Sequence, residues 1–294
     1  YNFFFKILYF ILYLTFSLIA FFIIRIISPF KIVRFGMMNS HRIGHFSIEW
    51  ELFFQLNLAK KLNVYLLSFH KEISNKFLAK MITRKKIILP SKFIKLIQIF
   101  NNSFFENKIH EFDFHSLTYD NKNKLNHFKP SLKFTNNEIL QGEKVLKKFN
   151  SKKIICFISR DGKYISKKYN RNDFNNPRNT NVNDFILATK ALEKKGYTIF
   201  RMGRDVAEKF RYNSENVIDY ANSEISSDFL DLYLIKKCSF FISTGCGLDS
   251  IAIIFNKPII YINYVPIGEC SVFSNNFLFS YKKYYDFKKK KYLS

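Results

Sequence analysis

The sequence predicts an α/β protein of two doubly wound halves behind one apolar N-terminal helix, and three observations lead there. Short continuous apolar runs alternate with helical patterns along most of the 294 residues. An uncharged stretch of 18 residues, Ile7 to Ile24, lies near the start of the chain. Glycine-containing turns close several apolar runs, and the carboxyl ends of parallel strands are where such sheets bind ligands. Hydrophobic residues at 48% and aromatics at 18% are too many for a disordered chain, and the length suffices for two cores of ordinary size.

The apolar stretch comes first. As a helix it reaches about 27 Å, close to the ~30 Å thickness of bilayer hydrocarbon. A secretory leader is the rival reading, but Arg25 and Ile26 follow the run where a small-residue cleavage site belongs. A core helix of a soluble protein is seldom apolar on every face. Arg25, Lys31 and Arg34 follow the run and only Lys6 precedes it, which sets the body on the cytoplasmic side of a single-pass anchor. Residues 1–29 are therefore expected to be a membrane anchor separable from the body.

After the anchor, Lys31–Phe35 reads as a strand, followed by a loop with Gly36 and Gly44. Phe46–Lys61 reads as an amphipathic helix, Val64–Phe69 as the next strand and Lys86–Leu89 as a third, closed by Pro90. Residues 101–134 show no clear periodicity and are expected to be irregular. Thr135 and Glu138 form a capping box that opens a helix to about Asn150. Ile154–Ser159 is continuously apolar, as a buried parallel strand should be. A long Asn- and Arg-rich loop, 160–180, precedes a helix from about Asn183 to Lys195 that Gly196 stops. Tyr197–Arg201, Val217–Asp219, Phe240–Ser243 and Pro258–Asn263 supply four more strands. Strand–helix–strand order implies right-handed parallel crossovers, hence two Rossmann-like domains, residues 30–135 and 136–294.

The net charge of +24 suggests nucleic acid at first sight. Its distribution argues otherwise, because 37 of the 47 basic residues are Lys scattered through every segment. The ten Arg carry more information, since a guanidinium forks phosphate and an ammonium does not. Arg42, Arg160, Arg171, Arg178, Arg201 and Arg204 lie in or beside the turns considered next. All six His precede residue 128 and the four Cys follow residue 155, so no zinc spacing and no disulfide framework is readable.

The most specific segment is Phe240–Ile254, an apolar strand running through Ser243-Thr244-Gly245-Cys246-Gly247 into a helix. Glycine lets a backbone approach an anion, and the N–H groups of a helix start bind phosphate. The plainer reading is an ordinary tight βα turn. It lacks the Lys of a Walker loop and the full GxGxxG spacing, which disfavours an ATPase or an NAD enzyme. Gly203 and Arg204 follow another strand, where Arg204 faces either a nucleotide or solvent. Ser159-Arg160-Asp161-Gly162 ends the strand one unit earlier and offers a second phosphate clamp, unless Arg160 merely pairs with Asp161. In the first half, His41-Arg42-Ile43-Gly44-His45 occupies the loop after the first strand, and a near-neutral His there can deprotonate a hydroxyl. Glu49 and Glu51 are weaker candidates on a helix face.

Taken together, RIGH at 42–45, ISRDG at 158–162, GYTIFRMGR at 196–204 and STGCGLDSIA at 243–252 before NKPIIYIN resemble a group of bacterial GT-B-like glycosyltransferases of surface polysaccharide synthesis. The resemblance spans roughly residues 30–270. It implies two Rossmann-like domains facing across a cleft, the N-terminal one holding a glycan or glycolipid acceptor and the C-terminal one a nucleotide-sugar donor. It implies that Arg160, Arg204, Ser243, Thr244 and Gly245 surround the donor diphosphate and that Arg42 to His45 face the cleft. Gly203 is expected beside Arg204 in the donor site, and His45 and Arg42 are expected to serve the chemistry of a body held at the inner membrane. Cys246 stands where the family often has an acidic or hydroxyl residue. No Asp-x-Asp occurs, which disfavours a metal-dependent GT-A enzyme, so neither metal nor cofactor is expected and basic groups would stabilise the leaving diphosphate. The competing class is a non-catalytic GT-B-like scaffold at the membrane; a nucleic-acid partner is not expected.

Overall fold

A computed structural model describes residues 2–58, 63–105, 108–120, 123–149, 153–266 and 274–292. The chain divides into two compact units, 1–120 and 121–294, so residues 121–135 belong with the second.

The first unit begins with α1 (Asn2–Ile27), followed by β1 (Val33–Met38), α2 (Ile43–Leu58), β2 (Val64–Phe69), α3 (Lys76–Thr83), β3 (Ile88–Leu89) and α4 (Ser91–Phe104). Its three strands are parallel in the order β1-β2-β3. Phe3–Ile27 is long and apolar enough to cross a membrane. Residues 3–12 are exposed all round, but from Ser17 onward one face of α1 packs within the unit. Phe21 sits among the rings of Phe100, Phe104 and Phe105, and Ile24 joins Val33, Phe35, Ile94 and Ile97 in a core cluster. The Arg25 guanidinium donates to Asn101 and lies 4.0 Å over the Phe105 ring. The last third of the apolar helix is thus part of the first unit, not a separable anchor. The reason is the i, i+4, i+7 stripe Ser17, Phe21, Ile24, which a helix brings to one side.

Two further expectations for this unit change. Residues 46–53 of α2 are all buried, so α2 is a core helix with Glu49 and Glu51 inside it, not an amphipathic one. The supposedly irregular stretch starts with the last turn of α4 and continues as short 3₁₀ turns, one of them Phe114–Leu117.

The second unit contains α5 (Asn136–Lys147), β4 (Ile154–Ile158), α6 (Lys163–Tyr169), α7 (Ile186–Lys194), β5 (Thr198–Met202), β6 (Val217–Ile218), α8 (Asp228–Lys237), β7 (Phe240–Ser243), α9 (Asp249–Ile254), β8 (Ile259–Tyr264), β9 (Phe277–Tyr281) and the hairpin β10 (Tyr285–Asp286)/β11 (Lys291–Tyr292). The capping box is present, with Thr135 Oγ1 accepting from the Glu138 N–H and Glu138 accepting from the Thr135 N–H. Six parallel strands lie in the order β6-β5-β4-β7-β8-β9. Counted within the unit this is 3-2-1-4-5-6, the doubly wound order of a Rossmann sheet. Strands β4 and β5 are buried at every residue, which is why β4 is apolar without alternation and why β5 departs from that only at Thr198 and at Arg201, whose charge is paired. The edge strand β9 is held by aromatic packing, with Tyr261 and Phe279 stacked at 4.8 Å.

Candidate functional site

The strand order reverses between β4 and β7, and the loops leaving those two strands meet at the carboxyl edge. A sheet of this order binds its ligand at that reversal, because the two crossovers leave to opposite faces and open a crevice. The Arg160 N–H donates to Thr244 Oγ1 at 3.0 Å, tying the two turns together. Ser159 Oγ donates to the Thr180 carbonyl at 2.6 Å and the Thr180 N–H donates to the Arg160 carbonyl at 2.8 Å, so loop 160–180 folds back on the same edge. Within that loop a short helix, α6, forms where only coil was expected, its first N–H, that of Lys163, donating to Asp161 at 3.1 Å.

The turn after β7 is largely satisfied by its own residues. Ser243 Oγ donates to Asp249 Oδ1 at 2.5 Å and accepts from the Gly245 N–H at 3.0 Å, and the Cys246 N–H donates to Asp249 Oδ2 at 2.8 Å. The buried Asp249 carboxylate therefore occupies one N–H that a phosphate would otherwise take. Gly245 has φ of +84°, and a Cβ there would come 3.0 Å from the Tyr264 ring, so the turn requires glycine with or without a ligand. Gly203 likewise has φ of +146° at the end of β5, with Val206 2.8 Å from where a Cβ would stand. Burial pushes the Cys246 thiol up to about 12, which leaves it protonated and inert.

Of the arginines expected to clamp phosphate, two already hold carboxylates. Arg160 pairs with Asp173 and donates to Asn179, not to Asp161, whose Oδ2 accepts from the Ala207 N–H at 2.6 Å. Arg204 pairs with Asp228 and Asp231 at the start of α8. Arg201 is fully buried in β5 and is consumed by Asp219 at 3.0 Å. Arg178 differs. Its guanidinium donates to the Gly245 carbonyl at 2.7 Å, its buried Nε has no partner, and no ion pair joins it to a carboxylate among the described residues. An Arg in an Asn-rich loop gave no local sign of this, since only the fold-back of the loop brings it to Gly245. A small cavity of about 160 Å³ lies elsewhere, lined by Ile253, Lys257, Asn276 and Phe277 at the amino ends of β8 and β9, away from this edge.

Burial raises the Asp249 carboxyl to about 7, against hydrogen bonds from Ser243 and Cys246 and the nearby Arg178 charge, which lower it. Its ordinary value is near 3.9. Between those two values the folded protein holds a proton that the unfolded chain has released, so stability falls as pH rises through this window. Wild type is expected to lose stability between pH 5 and pH 8, and Asp249→Asn to lose less, by on the order of 2 kcal/mol. Asp231, raised by burial to about 6, keeps part of the trend in both proteins. Denaturant midpoints at the two pH values measure it, and an identical pH difference in the variant contradicts the expectation.

In the first unit, His45 sits in the first turn of α2, not in the loop before it. One turn further, Glu49 is completely buried. Glu49 accepts from the Asn39 side-chain amide at 2.7 Å and the Asn39 N–H at 3.2 Å, and its Oε1 lies 3.4 Å from His45 Nδ1. Thr118 Oγ1 lies 3.3 Å from His45 Nδ1, 3.2 Å from His115 Nδ1 and 3.5 Å from Glu49 Oε1. The His45 and His115 rings stack at 6.0 Å and 15°. The helical spacing His-x-x-x-Glu was the available signal for Glu49. Arg42 makes its backbone bonds at the start of α2, accepting from the Phe46 N–H at 2.9 Å.

His45, Glu49 and His115 offer one donor atom each within 4.8 Å of one another, a set of types that can hold a transition metal. An ion about 2.0–2.2 Å from each needs donors within roughly 4.4 Å. The Thr118 hydroxyl lies 3.2–3.5 Å from a donor of all three.

The fold these units define is GT-B-like. A glycosyl transferase family 9 structure from Veillonella parvula superposes with a TM-score of 0.53 at 9% identity, over 88% of this chain and 89% of that one. E. coli ADP-heptose lipopolysaccharide heptosyltransferase II gives 0.48 at 12% identity, over 85% and 90% of the two chains. An E. coli heptosyltransferase with ADP-2-deoxy-2-fluoro heptose gives 0.42 at 10% identity, over 84% and 92%. No family model and no curated protein matches the sequence.

Proposed function

We propose that the protein is a metal-independent glycosyltransferase that moves a sugar from a nucleotide-sugar donor to a glycan or glycolipid acceptor at the inner membrane, with its body on the cytoplasmic side of a single apolar helix. The observation that carries this reading is the pair of loops joined through Arg160 and Thr244 at the reversal point of a 3-2-1-4-5-6 sheet, with Arg178 on the Gly245 carbonyl beside them and in no ion pair among the described residues. The GT-B-like fold supports it.

On this reading the second unit holds the donor diphosphate. Thr244, Gly245 and the Arg160 turn form its edge, Ser243 and Gly203 shape the turns, and Arg204 acts once released from its carboxylates. Arg178 leads, because a guanidinium with no carboxylate to displace meets phosphate without losing an ion pair. In the first unit His45 removes the proton from the acceptor hydroxyl, and Arg42 assists at the same helix start. The departing diphosphate is stabilised by guanidinium and backbone N–H groups instead of a metal.

The test is nucleotide binding by calorimetry with UDP, GDP, CDP and ADP, with and without a chelator. Arg178→Ala is expected to weaken the preferred nucleotide about 10- to 150-fold, the value of a charged hydrogen bond to phosphate at roughly 1.5–3 kcal/mol. Arg178→Lys should recover only part, since the fork is lost. Unchanged affinity in Arg178→Ala, at a wild-type unfolding midpoint, removes this residue from the donor site. Binding that vanishes with the chelator sinks metal independence.

A further inference from the structure

We infer that Glu49 is a positioning residue that fixes His45 in the tautomer with its proton on Nδ1, leaving the Nε2 lone pair as the base. The inference rests on the glycosyltransferase reading for its purpose, but its evidence is the hydrogen-bond inventory of the first unit.

Glu49 is wholly buried, and its charge has no Arg or Lys ion pair among the described residues; the adjacent polar groups are Asn39, Thr118 and His45. A buried carboxylate is an acceptor only, and an isolated one is costly. Asn39 supplies two donors, one to each oxygen, and holds the carboxylate in place. His45 Nδ1 then stands 3.4 Å from Oε1 and 3.3 Å from the Thr118 hydroxyl. A lone pair on Nδ1 would face the carboxylate oxygen and repel it, whereas an N–H there is attracted. Neutral imidazole carries one proton, so Nε2 is left unprotonated. With the single Thr118 proton turned toward Glu49 or toward His115, the hydroxyl oxygen accepts from Nδ1–H. Only a proton turned toward Nδ1 itself calls for the other tautomer, and that arrangement leaves the Nδ1 lone pair beside the Glu49 carboxylate. The groups facing His45 are thus Glu49 from its own helix and Thr118 and His115 from the adjoining 3₁₀ turn.

The chemistry balances simply. The acceptor O–H proton moves to Nε2, the oxygen lone pair forms the new bond to the anomeric carbon, and the bond from that carbon to the diphosphate breaks with its electron pair leaving on phosphate. The imidazolium so formed lies beside the Glu49 carboxylate, which stabilises it without taking the proton. In the serine-protease triad, changing the corresponding carboxylate to an amide leaves the geometry but lowers kcat about 10⁴-fold through the wrong tautomer. Glu49→Gln sets up the same conflict, since its amide N–H₂ turned to Nδ1 requires a lone pair there.

The test is the protonation pattern of the His45 ring, read from imidazole nitrogen chemical shifts of the full chain in detergent micelles, with the signal assigned by its loss in His45→Gln. Wild type with a neutral His45 ring is expected to show protonated Nδ1 and bare Nε2. Glu49→Gln is expected to move the proton to Nε2 and, with a nucleotide-sugar donor, to lower kcat at least 100-fold with an unchanged donor KM. Bare Nδ1 in wild type, or shifts that respond to added zinc at Nδ1, overturns the inference even if Glu49→Gln does not fold. The same tautomer in wild type and a folded Glu49→Gln also overturns it. A tautomer change in a protein that transfers no sugar from any donor upholds the positioning and strikes the function instead.

Discussion

His45→Gln is expected to slow glycosyl transfer about 10²- to 10⁴-fold, the usual contribution of a positioned general base, with nucleotide affinity unchanged. The substitution keeps a polar group beside Glu49 and Thr118, so the buried carboxylate is not stranded and the fold should hold. Nucleotide affinity is the internal control because His45 belongs to the first unit and the donor loops to the second. Single-turnover transfer from a saturating donor measures the step directly. A folded His45→Gln protein that transfers at the wild-type rate assigns proton removal to another group, and the Glu49 network then has only a structural purpose.

Deleting residues 1–29 is expected to unfold the first unit, whereas deleting residues 1–12 leaves it folded. The shorter deletion removes only side chains that are exposed, as far as they are described. The longer one takes Phe21 and Ile24, exposed by only 2% and 4%, out of the packing against α4 and β1. Truncating a buried Phe or Ile to Ala costs about 3–5 and 2–5 kcal/mol, and a whole domain is held by about 5–15. Losing both side chains with the helix that carries them consumes most of that margin. Limited proteolysis and thermal unfolding of the two truncations in detergent decide it. Cooperative unfolding of the 1–29 deletion at the wild-type midpoint would mean that α1 packs on the unit without supporting it.

Much of this fold is written locally. Val64–Phe69 and Phe240–Ser243 are strands over the same residues that their apolar runs mark, and the other expected strands shift by only a few residues. The Thr135–Glu138 capping box and the turn from β7 toward α9 are equally local, because each depends on residues three to six apart. The helices α3 and α6 are short, and β9 has no partner until β8 is in place, so none of the three stands out from propensity alone.

The chemistry of the site is less local. Composition marked ten arginines as the informative cations, but which of them are committed depends on chain closure. Asp173 reaches Arg160 only when loop 160–180 folds back, and Asp228 reaches Arg204 only when the start of α8 meets the turn after β5. Arg178 is set apart by the same closure, which sets its guanidinium on the Gly245 carbonyl without an ion pair to a carboxylate among the described residues. Glu49 read only as a weaker candidate on the face of an amphipathic helix because that helix was judged by periodicity, and eight successive buried residues in α2 have none to show. What the sequence determined by itself is the order of strands, helices and glycine turns, since those follow from backbone preference and short-range hydrogen bonds. Which charges end paired, which stay uncommitted and which side of the apolar helix is buried was decided by the tertiary structure, because each depends on groups far apart in sequence meeting at fixed distances.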